Sequence, residues 1–236
     1  MSVCAWHVTE ADTTPHEWQV RALPACLFAY GRYALRWGSF RRVPDGVCYP
    51  RSHEEVEALM ALACEHGVCL IPFGGGTSVT EALLCPDDEP RPIVSVDMRR
   101  MNTIKWVDVD SMLACVEAGA VGVHLDEDLA SRGLCLGHEP DSREFSTMGG
   151  WVATRASGMK KNTYGNIEDV VVNVKVVTPG AGTLEQAAVG APRRSTGPDL
   201  VQMIIGSEGM LGIVTEVVVR LQPLPETTMC VQGWLG

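Results

Sequence analysis

The stretch "LIPFGGGTS" (70–78) runs an apolar segment into three consecutive glycines and two hydroxyl side chains. Without Cβ atoms, Gly74, Gly75 and Gly76 let backbone N–H groups approach a partner closely. A row of such donors, joined by the Thr77 and Ser78 hydroxyls, forms a nest for an anion such as a pyrophosphate and needs no lysine. The loop is not a P-loop, because no G-K-[ST] follows. It is not a Rossmann fingerprint either: it reads G-G-G-T-S in place of G-x-G-x-x-G, and no periodic helix follows. For one glycine cluster alone, a plain strand-exit turn is the competing reading.

Three further stretches repeat this chemistry. "GHEPDSREFSTMGGWVATRASG" (137–158) places a glycine pair behind a hydroxyl-rich turn. "YGNIEDVVV" (164–172) leads into an apolar run, and "IIGSEGMLGIVTEVVVRL" (204–221) sets three glycines around Glu208. His138 precedes the P-D-S turn and reads as a hydrogen-bonded structural histidine ahead of a catalytic one. Lys160 and Lys161 read as a solvated pair ahead of a substrate clamp. Trp151 reads as core packing beside the glycine pair. No His/Cys/Asp cluster has metal-ligand spacing, so no metal is expected.

These loops need elements to hold them. "GVCYP" (46–50) and "VCLIPF" (68–73) read as strands on either side of the clearest helix, "SHEEVEALMALACEHG" (52–67). Ser52 and Glu55 have capping-box spacing, Val56, Leu59, Met60, Ala63 and Cys64 form an apolar face, and Gly67 sits at C′. Strands follow at 93–98, 103–109 and 112–119, a helix over 123–133 ending at Gly133, and a long Gly/Ser-rich middle. A buried strand at 169–179, a short one at 183–186, a helix over 197–206 opened by Pro198 and a closing strand at 212–223 complete the pattern. The class is α+β, a β-α-β start followed mostly by strand.

At 236 residues the chain suffices for one large domain or two small ones. The hydrophobic share of 46% with 20% charged residues is that of a globular protein with a core. A formal net charge of −10 leaves no footprint for nucleic acid and opposes simple adhesion to anionic lipid. The nine cysteines form no C-x-x-C pair and read as reduced thiols serving as small core hydrophobes. No run reaches the ~18 apolar residues of a membrane span. The arginine-rich stretch 19–42 lacks a cleavage pattern, and "WLG" is no peroxisomal tripeptide.

The order of motifs, GGGTS, then P-D-S with T-x-G-G, then Y-G-x-x-x-D, then G-S-E-G-x-L-G-I-V-T, resembles the flavin domain of the vanillyl-alcohol oxidase / p-cresol methylhydroxylase superfamily. "GHEPDSREFST", "MKKNTYGNIEDVVV", "RVPDGVCYPRSHEEV" (42–56) and "STGPDLVQMIIGSEGMLGIVTE" (195–216) resemble its alkyldihydroxyacetonephosphate synthase (alkylglycerone-phosphate synthase) family more specifically. The resemblance implies a p-cresol methylhydroxylase-type FAD-binding fold, two α+β subdomains clasping FAD, over residues 38–226. Residues 1–37 are expected to be a divergent leader and 227–236 a divergent tail.

By resemblance, FAD is held by Pro72, Phe73, Gly74, Gly75, Gly76, Thr77, Ser78 and Val79 around the pyrophosphate. Pro140, Asp141, Ser142, Arg143, Glu144, Phe145, Ser146 and Thr147 line its other portions, with Thr154, Arg155, Ala156 and Ser157. Glu208, Gly209, Met210, Leu211, Gly212, Ile213 and Val214 complete the set, the last two through backbone groups. Arg155 stands where a neutral residue is usual, and stays open between a phosphate or flavin contact and a structural salt bridge. The implied reaction exchanges the acyl chain of acyl-dihydroxyacetone phosphate for a long-chain alcohol through a flavin N5 adduct, with no net redox change. The implied setting is the peroxisome, with homodimers and peripheral membrane association. Relatives continue into a C-terminal cap that carries the acid–base residues, so catalytic residues are not assigned here. An inactive FAD-binding remnant that partners the full-length subunit, and an FAD-dependent 2-hydroxyacid dehydrogenase, are the alternatives.

Overall fold

The computed structural model describes residues 42–186, 195 and 197–229. The expected leader and most of the expected tail lie outside these residues; Thr227–Met229 are in neither helix nor strand.

The first unit is built on β1 (Gly46–Cys48), α1 (His53–His66), β2 (Cys69–Phe73) and β3 (Ile93–Asp97). The strands form a parallel sheet in the order β1-β3-β2, with α1 as the crossover between β1 and β2. Ser52 caps α1 by accepting from the Glu55 N–H at 3.3 Å, and Gly67, at φ 65°, ends it in the left-handed region. The Glu55 carboxylate turns to the Arg51 N–H at 2.8 Å, one residue before the cap. The buried face is His53, Val56, Met60 and Ala63, with Leu59 at its margin. Cys64, expected on that face, is exposed, because the stripe at three- and four-residue steps ends on Ala63.

The second unit is an antiparallel sheet in the order β4-β5-β9-β7-β8. Its strands are β4 (Ile104–Asp108), β5 (Leu113–Glu117), β7 (Val171–Thr178), β8 (Gly182–Glu185) and β9 (Ile213–Arg220). β7 and β9 are valine-rich and buried along most of their length, as befits strands with neighbours on both edges. Helices α2 (Gly122–Ala130), α3 (Met148–Thr154), α5 (Ile167–Val170) and α6 (Leu200–Ile204) contribute to a core that contains Val116, Leu129, Met148, Trp151, Val176 and Val217. A second cluster joins the units: Val56, Met60, Val96, Met98 and Met101 meet Val177 and Ile213.

Some boundaries differ from expectation. The long middle is not featureless; it holds β6 (Leu134–Cys135), paired with β10 (Gln222–Pro223), along with α3, α4 (Lys161–Tyr164) and α5. The helix expected over 197–206 begins only at Leu200, because the Asp199 carboxylate caps it by accepting from the Gln202 N–H; Pro198 stands ahead of the cap. α2 stops at Ala130, and a turn carries the chain to Gly133 at φ 73°. The six described cysteines form no disulfide, but only Cys115 is buried, so the core role expected of them holds for one.

Candidate functional site

The triple-glycine loop leaves the carboxyl edge of the parallel sheet directly after Phe73. A Cβ on Gly74 would fall on Thr147 Oγ1, and one on Gly75 on the Phe145 carbonyl. These glycines therefore let the 145–147 segment pack against the loop. Gly209, at φ 81°, plays the same part for the third segment: its Cβ would lie 2.6 Å from Pro72 Cγ. Glycine sterics thus bring Pro72–Gly75, Phe145–Thr147 and Glu208–Gly209 together from three distant parts of the sequence.

Hydrogen bonds complete the arrangement. The Thr80 hydroxyl donates to Glu208 Oε1 at 2.6 Å, so the Ser78 hydroxyl, 2.9 Å away, donates to Thr80. Gly206 N–H donates to Val152 O and Glu208 N–H to Ala153 O, both at 2.9 Å, which docks the third segment on the end of α3. Thr147 caps the start of α3 through its side chain, accepting from the Gly150 N–H. Trp151, buried as expected, donates from Nε1 to Ser146 Oγ at 2.8 Å and props the second segment from below. By contrast, among the described residues the N–H groups of Gly75, Gly76, Thr77 and Ser78 donate to no acceptor in the protein.

Other expected site residues are placed differently. Arg143 turns toward α2, 3.2 Å from Asp126 and 3.7 Å from Glu139. Asp141, Ser142 and Glu144 form a turn in which Phe145 and Ser146 N–H groups both donate to Ser142 O; Pro140 is buried before it. The Thr154 hydroxyl donates back to Gly150 O, Ser157 donates to Asn166 Oδ1, and Ala156 is half-buried at the margin of the core. Arg155, in the left-handed region at φ 50°, has its Nε 3.4 Å from Glu168 Oε1, the salt bridge that was one of its two readings. Ile213 and Val214 open β9 with buried side chains, facing Val177 and Val176. Val79, Phe145, Met210 and Leu211 stand exposed around the converging loops as an apolar rim.

One expectation near this site is corrected. His138 is buried, but neither ring nitrogen has a hydrogen-bond partner; it meets Trp151 edge-on at 5.4 Å. Burial pushes its pKa down to about 4, against an opposing pull from Glu168. Lys160 is exposed, in keeping with the solvated reading, and donates to Glu139 at 2.6 Å. On the same edge, burial pushes the Asp126 carboxyl up to about 6 despite Arg143 beside it. The inter-loop tie from Thr80 to Glu208 was missed in the sequence because its partners lie 128 positions apart, with no spacing signal to join them.

The donor set fits a phosphorylated cofactor. Among the described residues four backbone donors in a row lack an acceptor, and the steric cradle around them excludes any side chain larger than hydrogen at Gly74 and Gly75. Among the described residues no group of three or more His, Cys, Asp or Glu side chains is placed to hold a metal ion, and no helix is long and apolar enough to cross a membrane.

A parallel β-α-β unit joined to an antiparallel sheet, with glycine loops meeting between them, defines a flavin-binding module. Residues 44–188 match the model of the FAD binding domain family, and the chain belongs to that family. The cofactor is FAD. The chain is 49% identical over 192 residues to the alkyldihydroxyacetonephosphate synthase of Caenorhabditis elegans and 45% identical to that of Dictyostelium discoideum. Each match covers 81% of this chain but only 32% and 31% of the relative. A solved alkyldihydroxyacetonephosphate synthase superposes with a TM-score of 0.77 at 43% identity, over 84% of this chain and 35% of that one. The chain thus spans about a third of the length of these relatives. The family resemblance and fold class read from the motifs are borne out.

Proposed function

We propose that this chain forms the FAD-holding part of an alkylglycerone-phosphate synthase of ether-lipid biosynthesis. Its substrates are acyl-dihydroxyacetone phosphate and a long-chain fatty alcohol. The carrying observation is the row of uncommitted N–H groups from Gly75 to Ser78, cradled by the other two segments. Those donors hold the pyrophosphate, Phe145–Thr147 and Glu208–Leu211 close its sides, and the backbone at Ile213 and Val214 meets the flavin end. Val79, Phe145, Met210 and Leu211 shield the cleft from water. The bound flavin supplies the reactive ring system for an exchange without net redox change, and the protein orients it.

The family assignment supports a peroxisomal setting, homodimers and peripheral membrane contact as parts of this proposal. In this proposal the flavin module is residues 38–226, which contain the matched residues 44–188. The test is twofold. Purified protein should take up FAD stoichiometrically and, supplied with labelled hexadecanol and acyl-dihydroxyacetone phosphate, should be assayed for exchange. FAD uptake with no exchange assigns this chain the cofactor-holding role alone; reduction of its flavin by D-lactate or glycolate would replace the transferase reading with a hydroxyacid dehydrogenase.

A further inference from the structure

His53 opens α1 yet is buried, at 7% exposure, against the antiparallel sheet of the other unit. Its Nδ1 lies 2.8 Å from Thr215 Oγ1 on β9, and its Nε2 lies 2.8 Å from Thr183 Oγ1 on β8. The Thr215 hydroxyl donates to the Lys175 carbonyl of β7 at 3.1 Å. Having a single proton, that hydroxyl accepts from the ring, which fixes a hydrogen on Nδ1. The Thr183 hydroxyl lies within hydrogen-bond reach of both Nε2 and the Glu57 carboxylate, one turn along α1, whose Oε1 is 3.4 Å from Nε2. One side chain of the first unit therefore bonds to two strands of the second and, through Thr215, is tied to the strand between them.

Its place in the fold gives this joint a use. α1 begins at the carboxyl edge of the parallel sheet, the edge from which the glycine loop departs. Thr215 lies three residues past Gly212, at the foot of the Glu208–Gly212 segment. The apolar contact between the units, Val56 and Met60 against Val177 and Ile213, holds them together without fixing their angle, because hydrophobic burial is non-directional. Hydrogen bonds of defined geometry on both ring nitrogens fix it.

We propose that His53 is a positioning residue that sets the separation of the Gly74–Ser78 and Glu208–Gly212 loops, and with it the fit of FAD between them. This rests on the flavin reading above. The test uses the 236-residue chain with His53→Ala, His53→Asn, whose amide N–H can stand in for Nδ1–H, and Thr215→Val. Flavin fluorescence titration should show FAD binding weakened about tenfold by His53→Ala and restored by His53→Asn to within about threefold of wild type. Thr215→Val should fall between them and add little to His53→Ala. Long-range ¹H–¹⁵N spectra of the FAD-free protein should show a hydrogen on His53 Nδ1. Variants that melt earlier but bind FAD within twofold of wild type, well below their melting temperatures, would reduce His53 to a structural residue and overturn the proposal. If His53→Ala does not fold, Thr215→Val and His53→Asn decide the matter by the same titration. A wild-type chain that binds no FAD overturns the flavin reading itself, and this inference with it.

Discussion

The loop at Gly74–Ser78 and the segment at Gly206–Gly212 are both glycine-rich and meet beside Pro72, but they spend their backbones differently. In the second, Gly206 and Glu208 give their N–H groups to the end of α3, and Met210 gives its own to Ser207. In the first, four consecutive N–H groups find no acceptor among the described residues, while the glycine faces are filled by neighbouring chain. Similar composition thus yields a brace in one place and, in the proposal above, an anion cradle in the other. What separates them is where the donors go, which composition does not reveal.

The sharpest way to break this distinction is to put a carboxylate into the cradle. Gly75→Asp drives a Cβ onto the Phe145 carbonyl and sets a negative charge beside the proposed pyrophosphate site. FAD affinity should fall by more than about a hundredfold in a titration followed by flavin fluorescence. Gly206→Ala, in the brace, meets only the Arg155 side chain at 3.4 Å, and its cost is the left-handed backbone at φ 85°. That cost is about 1–2 kcal/mol of stability, read by urea unfolding, with FAD affinity little changed. Stoichiometric FAD in Gly75→Asp, or equal FAD losses in both variants, would mean that the two loops share one role.

Ligand linkage gives a second contrast. FAD that binds the folded state alone should add about 2.7 kcal/mol at a hundredfold excess over its Kd, raising the melting temperature by several degrees. FMN has a single phosphate and no adenylate, so it cannot span the nest and the neighbouring segments together and should do much less. A melting curve indifferent to FAD would leave the uncommitted donors without a ligand.

Much of this arrangement was legible in the sequence, for identifiable reasons. α1 was readable because its cap, its apolar stripe and its terminal glycine agree, and β7 and β9 because valine-rich runs bounded by glycine or proline admit little else. The four motifs in order carried the flavin fold. α3 was not readable, since Gly149 and Gly150 fall in its first turn and weaken any helical signal. It forms because Thr147 caps it, Trp151 and Val152 bury, and Gly149 allows Ala118 within a distance no Cβ permits. The direction of Arg143 and the isolation of His138 were equally hidden, because both depend on partners brought in by tertiary packing.

His138 tests the foundation under the brace, for it packs edge-on against Trp151 in α3. Its folded pKa, near 4, lies below the ordinary value of 6.5, so the folded protein binds the proton less readily than the unfolded chain does. The stability this confers is complete above pH ~6.5 and is lost as pH falls toward 4, a change on the order of 3 kcal/mol. His138→Phe keeps a ring against Trp151 and removes the titration. Urea unfolding at pH 7.5 and pH 5 should show a smaller acid loss in this variant than in wild type. Equal losses would mean that the buried ring contributes nothing to acid sensitivity.

The smallest expected effect is at the one side-chain bond described between cradle and brace, from Thr80 to Glu208. Both partners are partly exposed, so water can replace what is lost, and Thr80→Val should cost only about 1 kcal/mol of stability. The consequence for binding is more informative than that cost. With Thr80 gone, the Ser78 hydroxyl loses its acceptor and becomes free to donate into the nest, while Glu208 is released from the loop. One change adds a donor for a phosphate oxygen and the other loosens the wall opposite, so FAD affinity should move by no more than about threefold. Glu208→Gln keeps an acceptor for Thr80 and removes the charge, and should leave affinity unchanged or slightly higher by relieving repulsion with the pyrophosphate. A loss of tenfold or more in Thr80→Val, with Glu208→Gln behaving as wild type, would show that this bond governs the cleft and that cradle and brace act as a single element.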